Sequence, residues 1–81
     1  MYILIAEDDI ALARLFSKVL ENDGHRVIHA QTIMTTRLML EKHDIDLLLC
    51  DVELPDGDAT VLLRNVHKLL SDNGKVVIGM S

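Results

Sequence analysis

Leu47-Leu48-Leu49-Cys50-Asp51-Val52-Glu53-Leu54-Pro55-Asp56-Gly57-Asp58 is the stretch from which the fold can be read. An apolar run ends in an acid, and a turn bearing Pro and Gly follows at once. A run of that length bounded by turn signals has the form of a strand buried on both faces. The pattern predicts a strand over 46–50, with Asp51 where the strand surfaces. In open α/β sheets the carboxyl ends of the strands are where ligands are handled. Tyr2-Ile3-Leu4-Ile5-Ala6 runs in the same way into Glu7-Asp8-Asp9. Two buried strands that deliver acids at one end imply one acidic pocket.

The composition bounds what that pocket can serve. With 81 residues the chain is expected to be one domain, near the small end of what folds alone. Its apolar share is 49% but includes one Phe and one Tyr, so the core must be aliphatic. A net charge of −5, with no Lys/Arg cluster, argues against a nucleic-acid surface. The longest apolar runs are about half the length of a membrane span, and Met1 to Ile5 has no basic flank of the secretory kind. A single cysteine excludes an internal disulfide and suits a reducing cytoplasm. Cys50 itself reads as a small buried hydrophobe.

Working along the chain, Asp9 is a fitting N-cap for a helix from Ile10 to Asn22. Leu12, Leu15, Phe16, Val19 and Leu20 form its apolar stripe, and Gly24 suits the left-handed position beyond its end. Residues 26–30 make a short second strand of edge character. Thr32 to Lys42 is expected to be helical because a crossover must join parallel strands here, although Thr32, Thr35 and Thr36 are weak helix formers. Asp58 is expected to cap a third helix over 59–71, with Leu62, Leu63, Val66, Leu69 and Leu70 inward. Asn73-Gly74 ends it, and 75–80 is a fourth strand.

This βαβαβαβ alternation predicts a parallel sheet covered by helices. Right-handed crossovers then fix the faces. If the first connection runs one way and the later ones return, the strand order is 2-1-3-4, with the first helix on one face and the other two on the opposite one. Glu7, Asp8 and Asp51 meet at the turning point. Each close pair of carboxylates costs about 1 kcal/mol in water and roughly 4 at an effective dielectric of 20. A divalent cation relieves that repulsion, and hard oxygen donors without His or Cys favour Mg²⁺. Asp9, Asp56 and Asp58 read as solvated strand ends or helix caps. His25, His29, His43 and His67 lack ligand spacing and read as surface or strand-end residues. Met34, Met39 and Met80 read as core filler.

At this point the residues resemble a family. Ile3-Leu4-Ile5-Ala6-Glu7-Asp8-Asp9, Leu48-Leu49-Cys50-Asp51 with Leu54-Pro55-Asp56-Gly57, and Val76-Val77-Ile78-Gly79-Met80-Ser81 look like the receiver domain of bacterial two-component response regulators, a flavodoxin-like α/β fold. The resemblance implies that Asp51 is the phosphoacceptor, modified by a sensor histidine kinase, a phosphotransfer protein or a small acyl phosphate. It implies Mg²⁺ held by Asp8, by Glu7 chiefly through water, by Asp51 and by the backbone carbonyl of Glu53. Ser81 is implied to read out the phosphoryl group. Such a domain is a regulatory phosphoacceptor rather than an enzyme.

The sequence departs from the family in ways that bear on function. It stops after the fourth strand, so the family's fifth strand, with its Lys, and last two helices have no counterpart. Ala59 stands where the family usually has Gly, and Gln31 to Leu40 lacks the usual pattern of the second helix. One face of the sheet and the edge of the fourth strand are therefore expected to be bare. Such surfaces pair with other chains, so a dimer or higher oligomer, or a piece of a longer protein, is expected. Two other readings compete with phosphotransfer. One is a phosphorylation-independent interaction module. The other is a Toprim-like metal-dependent nucleic-acid enzyme using Glu7, Asp51 and Glu53, which the acidic charge disfavours.

Overall fold

The computed structural model describes residues 1–72, 74 and 76–80, with 69–72 and 76–80 described by their backbone. In chain order the elements are β1 (Tyr2–Ala6), α1 (Ile10–Asn22), β2 (Arg26–Ala30), α2 (Ile33–Lys42), β3 (Leu47–Asp51), β4 (Glu53–Leu54), β5 (Gly57–Asp58), α3 (Thr60–Asp72) and β6 (Val76–Met80). β2, β1, β3 and β6 form one parallel sheet in that order, the 2-1-3-4 arrangement expected of the four long strands.

β3 is displaced by one residue from the sequence expectation, because Asp46 is occupied elsewhere. Its amide donates to the Tyr2 carbonyl, and its carboxylate accepts from the Tyr2 amide, both at 2.8 Å. Asp46 thus ties the start of β3 to the start of β1. At the other end Asp51 stays in the ladder, opposite Met80.

Side chains alternate across the sheet, as the strand period of two demands. Leu4, Ala6, Leu48 and Cys50 are fully buried in a cluster that also holds Ile45, Leu54 and Ala59, with Met39 and Leu40 of α2 and Leu63 and Val66 of α3 packed against it. Ile3, Ile5 and Ala13 form the second cluster, joined by Phe16, Leu20, Leu47 and Leu49. The stripe expected along α1 splits. Phe16 and Leu20 pack inward, whereas Leu12, Leu15 and Val19 are 37%, 58% and 54% exposed. The helix is apolar over a wider arc than one sheet face can cover, and Leu47 and Leu49 are likewise only half-buried. Met34 is no core filler, being 70% exposed, while Met39 is.

Helix ends follow local chemistry. The Leu12 amide donates to Asp9 at 3.1 Å, as an N-cap requires. Gly24, at φ +87°, closes α1, with its amide on the Glu21 carbonyl and the His25 amide on that of Leu20. That bond pair is the Schellman arrangement. α2 tolerates its threonines because they satisfy one another. Thr32 caps the helix by accepting from the Thr35 amide, and buried Thr36 donates its hydroxyl to the Thr32 carbonyl at 2.7 Å. α3 begins one residue later than expected. The Ala59 carbonyl takes the first helical bond, from Leu63, while the Asp58 carboxylate accepts from the Thr60 amide and hydroxyl one residue outside the cap.

β4 and β5 form a tight antiparallel hairpin that periodicity did not reveal, with Glu53 opposite Asp58 and Leu54 opposite Gly57. Gly57 lies at φ +136°, a region that favours glycine. Asp56, at the hairpin tip, reaches α2. One carboxylate oxygen accepts from the Ile33 amide at 2.8 Å and the other from the Met34 amide at 3.1 Å. The sequence expectation of a cap was right in kind, but the helix it serves lies earlier in the chain.

Two measurements check this architecture. Leu48→Ala, in the fully buried centre of β3, is expected to cost about 2–5 kcal/mol in denaturant unfolding. The Ile33 amide, foremost, holds the Asp56 carboxyl below its ordinary 3.8. Its stabilisation is therefore fully present above that value and is lost as pH falls through the lowered one. Asp56→Ala is expected to lower Tm at neutral pH, with the gap to wild type narrowing in acid. A gap that does not change with pH would show that the carboxylate does not hold α2.

Candidate functional site

The register of β1 and β3 builds the site. Ala6 lies opposite Cys50, so Glu7 and Asp51 follow them side by side. Glu7, Asp8 and Asp51 each offer a carboxylate oxygen within 4.8 Å of the others. Glu7 is buried, Asp51 half-buried and Asp8 exposed. A cleft of about 410 Å³ opens here, lined by Asp8, Asp51, Val52 and Glu53.

Backbone contacts hold Glu7 and Asp51 in place. The Glu7 amide donates to the Ala30 carbonyl at 2.9 Å, and the Glu7 carboxylate accepts from the Asp9 amide at 3.1 Å. His29 Nε2 donates to the Glu7 carbonyl at 2.7 Å. The Glu53 amide donates to Asp51 Oδ1 at 3.1 Å, which turns the chain sharply after β3. The Ala59 amide donates to the Val52 carbonyl at 2.7 Å, tying down the far side of the hairpin. Ala59 is itself fully buried, so the methyl group it carries in place of glycine's hydrogen is absorbed by the core.

The electrostatics are those of crowded negative charge. Burial pushes the Glu7 carboxyl above its ordinary 4.5, against the hydrogen bond from Asp9, and the charges of Asp51 and Asp8 push the same way. Burial, followed by the charges of Asp51 and Glu7, pushes the Cys50 thiol up to about 11. Cys50 is therefore a protonated, buried group, with its Sγ donating to the Asp51 carbonyl at 3.3 Å. It supplies no thiolate to the site. The donors left are carboxylate oxygens, the set that suits a hard divalent cation such as Mg²⁺.

The residues singled out in the sequence separate clearly. Glu7, Asp8 and Asp51 converge, and exposed Glu53 lines the cleft beside them. Asp9, Asp56 and Asp58 are drawn away to α1, α2 and α3. Ser81 lies outside the described residues; the residue before it, Met80, is in register with Asp51. His29 was read as a strand-end residue and is one, but its contact with Glu7 was missed. Its place one residue before the end of the strand next to β1 was the available signal. No helix among the described residues is long and apolar enough to cross a membrane.

Comparison with known proteins agrees with this geometry. The family model described as the response regulator receiver domain matches residues 3–80. The KDP operon transcriptional regulatory protein KdpE of Escherichia coli (strain K12) is 36% identical over 66 residues, covering 82% of this chain and 29% of that protein. The response regulator receiver protein CpdR of Brucella abortus is 33% identical over 70 residues, covering 86% of this chain and 58% of that protein. The non-phosphorylated HemR receiver domain from Leptospira biflexa superposes with a TM-score of 0.78 at 34% identity, covering 88% of this chain and 57% of that one. For the MaeR response regulator bound to beryllium trifluoride the values are 0.84 and 27%, with 99% and 66% covered. The chain thus spans less than a third of the first curated relative and under two thirds of these receiver structures. With the 2-1-3-4 sheet, the acid pair after β1 and the isolated Asp51 after β3, the chain belongs to the response regulator receiver domain family.

Proposed function

We propose that this chain is the phosphoacceptor part of a two-component signalling protein, with Asp51 as the residue modified. The observation that carries this reading is the convergence of the Glu7, Asp8 and Asp51 carboxylates beside an open cleft. Asp51 is reachable, and its Oδ1 is already steered by the Glu53 amide. Its carboxylate attacks the phosphorus of a phosphohistidine on a sensor kinase or phosphotransfer protein, or of a small acyl phosphate. A new O–P bond forms as the N–P or leaving O–P bond breaks, and the leaving imidazole or carboxylate departs with the bonding electrons.

Mg²⁺ fits the donor set, and Glu7, Asp8, Asp51 and the backbone carbonyl of Glu53 are the groups that would hold it. Bound there, it offsets the charge of the phosphoryl group in transfer. Within the chain, the Ala30 and His29 contacts fix Glu7, and Glu7 and Asp8 gather charge that a cation would neutralise. Ser81 is assigned as the hydroxyl that binds the phosphoryl oxygens after Asp51 is modified. The protonated, buried Cys50 is compatible with the cytoplasm, where we place the protein.

The exposed α1 flank supports a second role, self-association. Leu12, Leu15 and Val19 form an apolar strip beside half-buried Leu47 and Leu49, and a strip of this kind is a contact surface for another chain. We assign it, together with the β6 edge, to a second copy. This role could operate with or without phosphorylation.

Incubation with acetyl phosphate and Mg²⁺, followed by intact mass, tests the first role. Wild type is expected to gain one phosphoryl group, and Asp51→Asn to gain none. An adduct that persists in Asp51→Asn, or no adduct on wild type under saturating donor, overturns it. Light scattering tests the second, with a dimer or larger species expected for wild type and a shift toward monomer for Leu15→Asp. A folded wild-type monomer at micromolar concentration rules out self-association.

A further inference from the structure

The edge strand contributes one side chain to the acid cluster from outside it. In the β1–β2 ladder the Glu7 amide donates to the Ala30 carbonyl, which completes the pairing of Ala6 with Ala30. In a parallel ladder the next bond would come from a backbone amide two residues further along β2, at position 32, to the Glu7 carbonyl. That bond is not made by the strand, because β2 ends at Ala30 and the chain turns through Gln31 and Thr32 into α2. His29 takes its place. Its Nε2 lies 2.7 Å from the Glu7 carbonyl oxygen, and since a carbonyl only accepts, Nε2 carries the proton.

We propose that His29 is a positioning residue for the cation site, acting through the Glu7–Asp8 peptide. The Glu7 carbonyl belongs to the peptide plane that leads into Asp8. Holding that oxygen toward β2 sets the direction in which the Asp8 carboxylate leaves the backbone. The same contact closes the end of β1, where three carboxylates would otherwise push the chain apart. His29 touches neither the cation nor the phosphoryl group; it keeps the two acids aimed at a common point. The effect of a donor one shell outside a metal site is commonly a 10–100-fold change in affinity. This inference rests on the proposed cation site, and it adds a residue that neither the acidic motif nor the sequence spacing identifies.

The test uses two variants. His29→Phe keeps a ring but removes the donor, and His29→Gln places an amide nitrogen near the Nε2 position. Calorimetric titration with Mg²⁺ alone is expected to show roughly a tenfold weaker Kd for His29→Phe, with His29→Gln recovering most of the loss. Metal-free nitrogen-15 spectra supply a readout that does not depend on the cation. Wild type should show the Nε2-protonated imidazole, and the Asp8 amide should shift or broaden in His29→Phe and return in His29→Gln. An unchanged Kd in a folded His29→Phe, or equal losses in both variants, overturns the positioning role. If wild type itself binds no Mg²⁺, the cation-site reading fails; an Asp8 amide unmoved in His29→Phe then rejects the positioning role independently.

Discussion

The parallel register of β1 and β3 is the constraint on which the rest depends. Once Ala6 stands opposite Cys50, the strands must release Glu7, Asp8 and Asp51 into the same few ångströms, whatever the repulsion. That register is held by burial on both faces. Leu4 and Leu48 lock one side and Ile3 and Ile5 the other, all at most 1% exposed. A slip of one residue would exchange the two faces of β3 and carry Asp51 away from its place beside Glu7 and Asp8. Apolar packing thus holds charges together that would separate if free.

The carboxylates show the cost of that arrangement. Glu7 is raised chiefly by burial, with Asp51 and Asp8 adding to it, so ionising it opposes folding at neutral pH. The sign is opposite to that of Asp56 and Asp58, whose carboxyls are lowered by hydrogen bonds from helix starts and stabilise the fold when charged. Acids a few residues apart therefore divide into two kinds. Asp56 and Asp58, held at the starts of α2 and α3, serve the fold. Glu7, buried beside two other acids, opposes it when charged.

Much of this could be read in the sequence because strands and acids occur together in it. The apolar runs ending at Ala6 and Cys50 gave the sheet, its 2-1-3-4 order and the meeting of Glu7, Asp8 and Asp51. What escaped were contacts set by side-chain reach rather than by periodicity. Asp56 was legible as a cap, but not as a cap for a helix that starts 23 residues earlier. The β4–β5 hairpin is too short to show any alternation. His29 looked like an edge residue because its contact with the Glu7 carbonyl depends on where β2 stops. The α1 stripe misled in the opposite direction. Its hydrophobicity was read correctly, but a single sheet face buries only the arc that carries Ala13, Phe16 and Leu20.

These contacts divide the molecule by role. Among the described residues, the groups that position these acids come from β2, from the hairpin and from Asp9 at the head of α1. The hairpin in turn is fastened to α2 by Asp56 and to α3 through Asp58. The acid-bearing end is thus braced from the well-covered α2–α3 side of the sheet. The exposed apolar strip lies on the opposite side, on α1. Asp9 links the acid cluster to this strip, its amide donating to Glu7 and its carboxylate capping α1 at Leu12, so what covers the strip bears on the cluster through that cap. The proposed cation site and the proposed contact surface are thus carried by one sheet's end and by its face, and joined through one helix cap.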